Sequence, residues 1–449
     1  MKESSYLKKV KEQYENYPYP KRELKDEKGG MYTSNSENLT RLNHYGFKGD
    51  MPLFKKNKGK PFRVLVAGAG TGDAVIHMAE QLRDFNAKVV YLDMSQASMR
   101  VAKKRAKMRK LKNIDWILNS LLELPNMQIK KFHYISCTGV LHHLESPIEG
   151  LNALKSVLKK SGVMSIMVYG LYGRTGIYQM QELMKLVNKN ENNMQKKVDN
   201  IKNMLPTLPA KNWFKRDEKT WREKLIQGGD IEIYDMFLHS QDRAYTVPQL
   251  YDYIEEQGGL KIIEFIGSSA HTGKLAYRPE NYIRNENILK KVKKLSKIEQ
   301  QSVAELMAGT FNTHTFYVAN KADTVASTRD FDLIPYFTAP MLKNMILERK
   351  NSHLNKILKL NIEADKGPKG LLQFEMTPLR IKLIELVDGK RSINKIFDLI
   401  DLDNKELLKT FDPIYMMFHN FDLMLLKSKK FPRILTTYEM QERFITKYL

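Results

Sequence analysis

Residues 62–95 constrain this chain more than any other stretch. The run Val64, Leu65, Val66 is apolar at consecutive positions, which is what a parallel strand covered on both faces requires. Gly68, Ala69, Gly70 and Gly72 follow, then a helical stretch, then a second apolar run, VVYLD, ending at Asp93. Strand, glycine turn, helix, strand and terminal acid together predict a ligand held at the carboxyl ends of parallel strands, with the Asp93 carboxylate accepting hydrogen bonds from two ribose hydroxyls. The spacing is G-x-G-x-G, and Asp73 stands where a dinucleotide fingerprint would place its third glycine. A carboxylate at a helix N-terminus repels a pyrophosphate. The site therefore suits an adenosine ligand that carries an ammonium and a sulfonium, as S-adenosylmethionine does.

The alternation continues along the chain. Strands are predicted over 63–68, 88–93, 114–118, 132–138 and 163–169, with helices over 73–84, 95–110 and 147–159 between them, so the fold class is α/β with helices on both faces of a doubly wound sheet. A helix is also predicted near 4–16. Residues 175–245 break the pattern as a helical insertion, with Pro206 and Pro209 as breakers. The sheet pattern returns with a helix capped by Thr246, a strand over 260–267, a helix near 298–308 and a last apolar run, THTFYVANK, at 313–321.

The order AGAGTGD, YLDMS, ISCTGVLHHLESP resembles the class I S-adenosylmethionine-dependent methyltransferases, and the segment QYENYPYP at 13–20 is similar to that of bacterial members that begin with Tyr and Pro. The resemblance implies a seven-stranded Rossmann-like sheet whose last strand is antiparallel. It places S-adenosyl-L-methionine against Gly68, Ala69, Gly70, Gly72, Asp73, Asp93, Met94, Ser120, Leu121, Thr138 and Gly139. Ser120 takes the position where such enzymes often carry an acid for the adenine amino group. His142 and His143 are the candidates to orient an acceptor or take its proton. Tyr17, Tyr169, Arg174, Arg243 and Tyr245 are the candidates for the acceptor pocket, together with Tyr14, Tyr19, Tyr172, His239 and Asp242, and the two arginines suit an acidic acceptor. No metal ligand set is expected. A small molecule or a protein side chain is the preferred methyl acceptor; the alternative is a regulatory or scaffold protein that keeps the cofactor fold.

The length of 449 residues calls for more than one core. Residues 1–60 are expected to cover the site, residues 61–322 to form the methyltransferase domain with its cap at 175–245, and 320–330 to be a polar linker. Residues 331–449 are expected to form a small winged-helix-like domain for a protein partner or a dimer contact, with nucleic-acid binding as the less favoured alternative. The net charge is +23, spread along the whole chain. Its two clusters, at 103–112 and 289–295, read as solvated helix faces rather than a nucleic-acid surface. Cys137 is the single cysteine, which excludes an intrachain disulfide and points to a cytoplasmic setting. No apolar stretch is long enough for a membrane span.

Overall fold

The computed structural model describes residues 5–56, 58–267, 273–362 and 370–448. Position 4 of the expected first helix lies outside them, and the helix runs over Ser5–Asn16. The central sheet contains β1 (Phe62–Ala67), β2 (Ala87–Asp93), β3 (Ile114–Leu118), β4 (Phe132–Thr138), β5 (Leu158–Gly170), β6 (Ala244–Tyr245), β7 (Lys261–Gly267) and β8 (Thr313–Ala319). Its order is β3-β2-β1-β4-β5-β8-β7, and the short β6 pairs with β5. β1 to β5 are parallel, whereas β8 runs antiparallel to both β5 and β7, so the seven-stranded methyltransferase sheet is present. Val64, Leu65 and Val66 are buried because β1 is central, with Val64 paired to Val89 on one side and Tyr134 on the other. Burying each such side chain stabilises the fold by about 1.5–3 kcal/mol.

Three sequence expectations need correction. The helix after the LHHL turn stops at Ser156 and the chain enters β5 at Leu158, because the last apolar residues of that stretch join the sheet. Residues 320–330 are no free linker: Ala326 donates its N–H to the His44 carbonyl at 2.8 Å, Lys48 donates to the Thr324 carbonyl at 2.7 Å, and Ala326 is buried. The C-terminal part departs from a winged helix. Its hairpin, β10 (Ile357–Ile362) with β11 (Gly370–Glu375), precedes the helices Pro378–Leu386, Ile393–Phe397 and Asn404–His419 instead of following them. The closing β12 (Met424–Lys427) pairs back with β9 (Ile334–Phe337). These elements share their own apolar core, including Leu360, Leu383, Phe397 and Phe411. The last helix, Thr437–Tyr448, leaves that core and returns to the first domain, where Arg443 meets Glu80 and Asp84.

The insertion after β5 folds as the helices Thr175–Val187, Met194–Met204, Trp213–Arg216 and Glu218–Phe237 around Ile177, Met180, Val198, Phe214 and Phe237. Helix Glu218–Phe237 breaks at Gly229, where φ 57° and ψ −139° leave the helical region. Among the described residues, no helix is long and apolar enough to cross a membrane.

Candidate active site

A cavity of about 1080 Å³ lies between the carboxyl ends of the strands, the N-terminal segment and the cap. Its floor is the glycine turn. Gly70 holds φ +51°, and a Cβ there would stand 2.5 Å from the Tyr19 carbonyl oxygen, so the N-terminal segment can lie directly on the turn only because residue 70 has no side chain. Two hydrogen bonds fasten it: Thr71 N–H to the Tyr19 carbonyl at 3.1 Å and Thr71 Oγ1 to the Pro20 carbonyl at 2.7 Å. Ser95 Oγ donates to the Tyr14 carbonyl at 3.0 Å. Glu15 accepts the Ala97 N–H at 3.1 Å at the positive end of helix Gln96–Met108.

Asp93 ends β2 at the cavity wall. Its Oδ2 accepts the Gly70 N–H at 2.7 Å and its Oδ1 the Ser95 N–H at 2.8 Å, which fixes the carboxylate and leaves it lone pairs for a ligand. Burial raises its pKa, partly opposed by these backbone hydrogen bonds. Gly68, Ala69, Gly70, Asp73, Met94, Ser120, Leu121, Thr138 and Gly139 also line the cavity. Gly72 does not; it packs against helix Gln96–Met108, where a Cβ would come within 2.8 Å of Ala102. Asp73 faces the cavity, yet its carboxylate is held by Arg22 at 2.7 Å and Arg105 at 2.7 Å, so it braces the N-terminal segment. Ser120 Oγ accepts the Leu122 N–H at 3.3 Å, and Asn119 beside it, which the sequence reading passed over, also lines the cavity.

Of the two histidines, His143 reaches the cavity. His142 is fully buried behind it, packed at 3.9 Å on the Tyr169 ring. The backbone N–H and C=O of Gln241 set the tautomers of two rings. Its carbonyl lies 2.9 Å from His143 Nδ1, which must carry hydrogen there and keep its lone pair on Nε2. Its N–H donates to His239 Nδ1 at 3.1 Å, which puts the hydrogen of His239 on Nε2, 3.3 Å from Tyr14 Oη. Tyr14 in turn donates to Asp235 Oδ1 at 3.3 Å. Burial lowers the pKa of both histidines, so both rings are neutral. His143, Asp235 and His239 bring ligand atoms within 4.8 Å of one another, a spacing that could hold an ion. With its Nδ1 lone pair committed and hydrogen on its Nε2, His239 offers an ion no lone pair, and its Nε2–H is directed at Tyr14 Oη.

Burial, followed by the nearby Glu232, lifts Asp235 from its usual 3.8 to about 7. Between these values the folded protein holds a proton that the unfolded chain has released, so stability falls as pH rises through that window. Asp235→Asn is expected to remove that slope and raise the melting temperature at pH 8 relative to wild type; melting curves from pH 4 to 8 check it, and an unchanged slope would refute it.

The acceptor candidates divide. Tyr169 and Arg174 line the cavity, with the guanidinium 3.5 Å above the Tyr169 ring. Arg174 pairs with Asp242 at 3.3 Å, so its charge is already balanced within the protein. Tyr17, Arg243 and Tyr245 are not on the wall: Tyr17 stacks on Tyr234 in the cap, Arg243 reaches out to the Glu145 carbonyl, and Tyr245 packs on Tyr253. In their place the cap helix supplies Trp221, Lys224, Glu232 and Asp235. The signal was in the sequence: a Gly-Gly pair inside a helical pattern, with two acids at i, i+3 spacing just beyond it.

The sheet order and its flanking helices define a fold of Rossmann-like type. Residues 58–231 match the family model of a methyltransferase domain. The chain is 30% identical over 264 residues to an uncharacterized Synechococcus protein, covering 58% of this chain and spanning 60% of that relative's length. Among solved structures, PKMT2 from Rickettsia typhi is similar over 89% of this chain and 77% of its own, at 14% identity and a TM-score of 0.56. PKMT2 in complex with AdoHcy matches over the same shares, at 16% identity and a TM-score of 0.55.

The residues present fit S-adenosylmethionine. The anchored Asp93 suits its ribose, and the slot at Met94, Ser120 and Leu121 carries no charge to oppose the adenine. At about 1080 Å³ the cavity stands at the upper end of the roughly 300–1,000 Å³ of ligand pockets.

Proposed function

We propose that the chain is an S-adenosylmethionine-dependent methyltransferase acting on a cationic amine, carried by a small molecule or a protein side chain. The observation that carries this reading is the cavity wall that Tyr14, Tyr19, Tyr169 and Trp221 share with the acids Glu232 and Asp235, Tyr14 donating to Asp235. Aromatic faces and acids attract an ammonium. The cofactor, when bound, supplies a methyl group on a sulfonium that is already a good leaving group. The protein's part is then to orient the acceptor, exclude water and take one proton. Asp235, with a pKa near neutrality, can hold that proton while Tyr14 donates to its Oδ1. Neutral His143, with its Nε2 lone pair free of the Gln241 bond, is the second acceptor for it.

Titration calorimetry is expected to show micromolar binding of S-adenosylmethionine, and no detectable heat would overturn the donor assignment. Methyl-labelled cofactor offered with free lysine, a polyamine, a lysine-containing peptide and a carboxylic acid tests the acceptor. Label on the amines alone supports the reading; label on the acid alone overturns it.

A further inference from the structure

The acceptor side of the cavity already contains one amine of the chain itself. Lys224 Nζ lies 2.5 Å from Glu232 Oε1 and 3.2 Å from Tyr19 Oη, with the Tyr19 ring 5.9 Å away. This contact is built by the broken helix. A straight helix would set residues 224 and 232 about 12 Å apart along its axis, at 1.5 Å per residue. The break at Gly229 folds the second half back, and Gly228 makes room for it: a Cβ there would come within 2.3 Å of Glu232 Cβ. The ammonium is therefore placed by the same acid and the same N-terminal tyrosine that face an incoming acceptor. Its side chain is about half exposed and lines the cavity, so it has space to swing. Tyr19, its second partner, belongs to the segment lying on Gly70, beside the donor's seat.

Resting on the donor assignment above, we infer that Lys224 occupies the acceptor's ammonium seat and is itself a methylation site of this enzyme when no acceptor competes. The step balances. The ammonium first gives a proton to the Glu232 or Asp235 carboxylate and from there to solvent. The freed Nζ lone pair then attacks the S-methyl carbon, the new N–C bond forms as the C–S bond breaks, and the bonding pair passes to sulfur, leaving a neutral thioether and a methylated lysine. Glu232 holds Lys224 above its ordinary pKa, so self-methylation is slow near neutrality and quickens as pH rises. An acceptor amine must displace Lys224 from Glu232, and in doing so protects it.

The test uses the full chain, with calorimetry for S-adenosylmethionine run on the same preparation. After incubation with methyl-deuterated cofactor, peptide mapping by tandem mass spectrometry is expected to find label on Lys224 that is lost in Asp93→Ala. Lys224→Arg is expected to bind the cofactor as wild type does and to carry no label at 224. A protein that binds the cofactor yet leaves Lys224 unlabelled overturns this inference and spares the donor assignment; a protein that binds none overturns both. A readout without cofactor examines the seat: Lys224 reductively methylated with carbon-13 formaldehyde is expected to titrate above the other lysines, and Glu232→Gln to lower it, because burial then acts with less opposition. A Lys224 signal that titrates with the bulk in the wild type would also overturn it.

Discussion

Asp93→Ala is expected to abolish measurable S-adenosylmethionine binding. Hydrogen bonds to a charged group contribute about 1.5–3 kcal/mol each, so losing two from the ribose weakens binding roughly 10²–10⁴-fold at about 1.4 kcal/mol per factor of ten. The alanine also leaves the Gly70 and Ser95 N–H groups without their acceptor, which disturbs the turn that forms the cavity floor. Asp93→Asn separates the two effects. The amide keeps one acceptor oxygen and nearly the same shape, but not the charge. Because burial raises the Asp93 pKa, the folded state pays to ionise it; stability falls as pH rises from the ordinary carboxylate value to the raised one, and the amide avoids that loss. The Asn variant, which still accepts one of the two N–H groups, is therefore expected to melt above the alanine variant at neutral pH while binding the cofactor far more weakly than wild type. Calorimetry and melting curves on both variants check this; wild-type affinity in either would overturn the assignment of Asp93 to the ribose.

The donor side of the site was legible because its residues are contiguous. The Gly68–Asp73 turn and Asp93 derive their meaning from one strand-turn-helix-strand unit, and the sheet imposes both its spacing and its burial. Most of the acceptor side is brought together from distant segments: Tyr14 and Tyr19 precede the sheet, Tyr169 ends β5, and Lys224, Glu232 and Asp235 come from a helix that meets them only because it breaks at Gly229. Tyr17 and Tyr19 look alike in sequence, and packing decides between them, sending one to the cap core and the other to the cavity. The basic run at 103–112 misled for a different reason. Lysine and arginine on a helix usually mark a wet face, yet Arg105 and Arg109, four residues apart and so on one side of the helix, are fully buried. Only a partner acid distant in sequence could reveal that.

That acid is Glu27, and its loss is expected to have a large effect on stability. Its carboxylate accepts from Arg105 Nε at 2.6 Å through one oxygen and from Arg109 Nε through the other, with all three side chains at most 1% exposed. Arg105 also reaches the Thr71 carbonyl at 2.8 Å and Asp73, and Arg109 reaches Gln441 in the last helix at 2.9 Å. Gln441 returns a hydrogen bond to the Glu27 carbonyl at 2.9 Å. Removing one partner of a buried pair costs about 3–5 kcal/mol because the other charge stays buried, and Glu27→Ala strands two guanidiniums at once. Arg105 keeps Asp73, but Arg109 is left with Glu80 at 3.4 Å, so Arg109 bears most of the penalty. Glu27→Gln keeps the shape and loses the charge, and is expected to fall between alanine and wild type in urea midpoint. The same bonds tie the glycine turn, the N-terminal segment and the C-terminal helix into one unit, so Glu27→Gln is also expected to weaken cofactor binding although Glu27 is not on the cavity wall. Arg443→Ala provides the contrast. Arg443 holds the last helix through Glu80 and Asp84 without touching the turn or the segment, so its loss should lower stability and leave cofactor affinity unchanged. Equal affinity losses in Glu27→Gln and Arg443→Ala would show that binding follows global stability and that Glu27 does not brace the site.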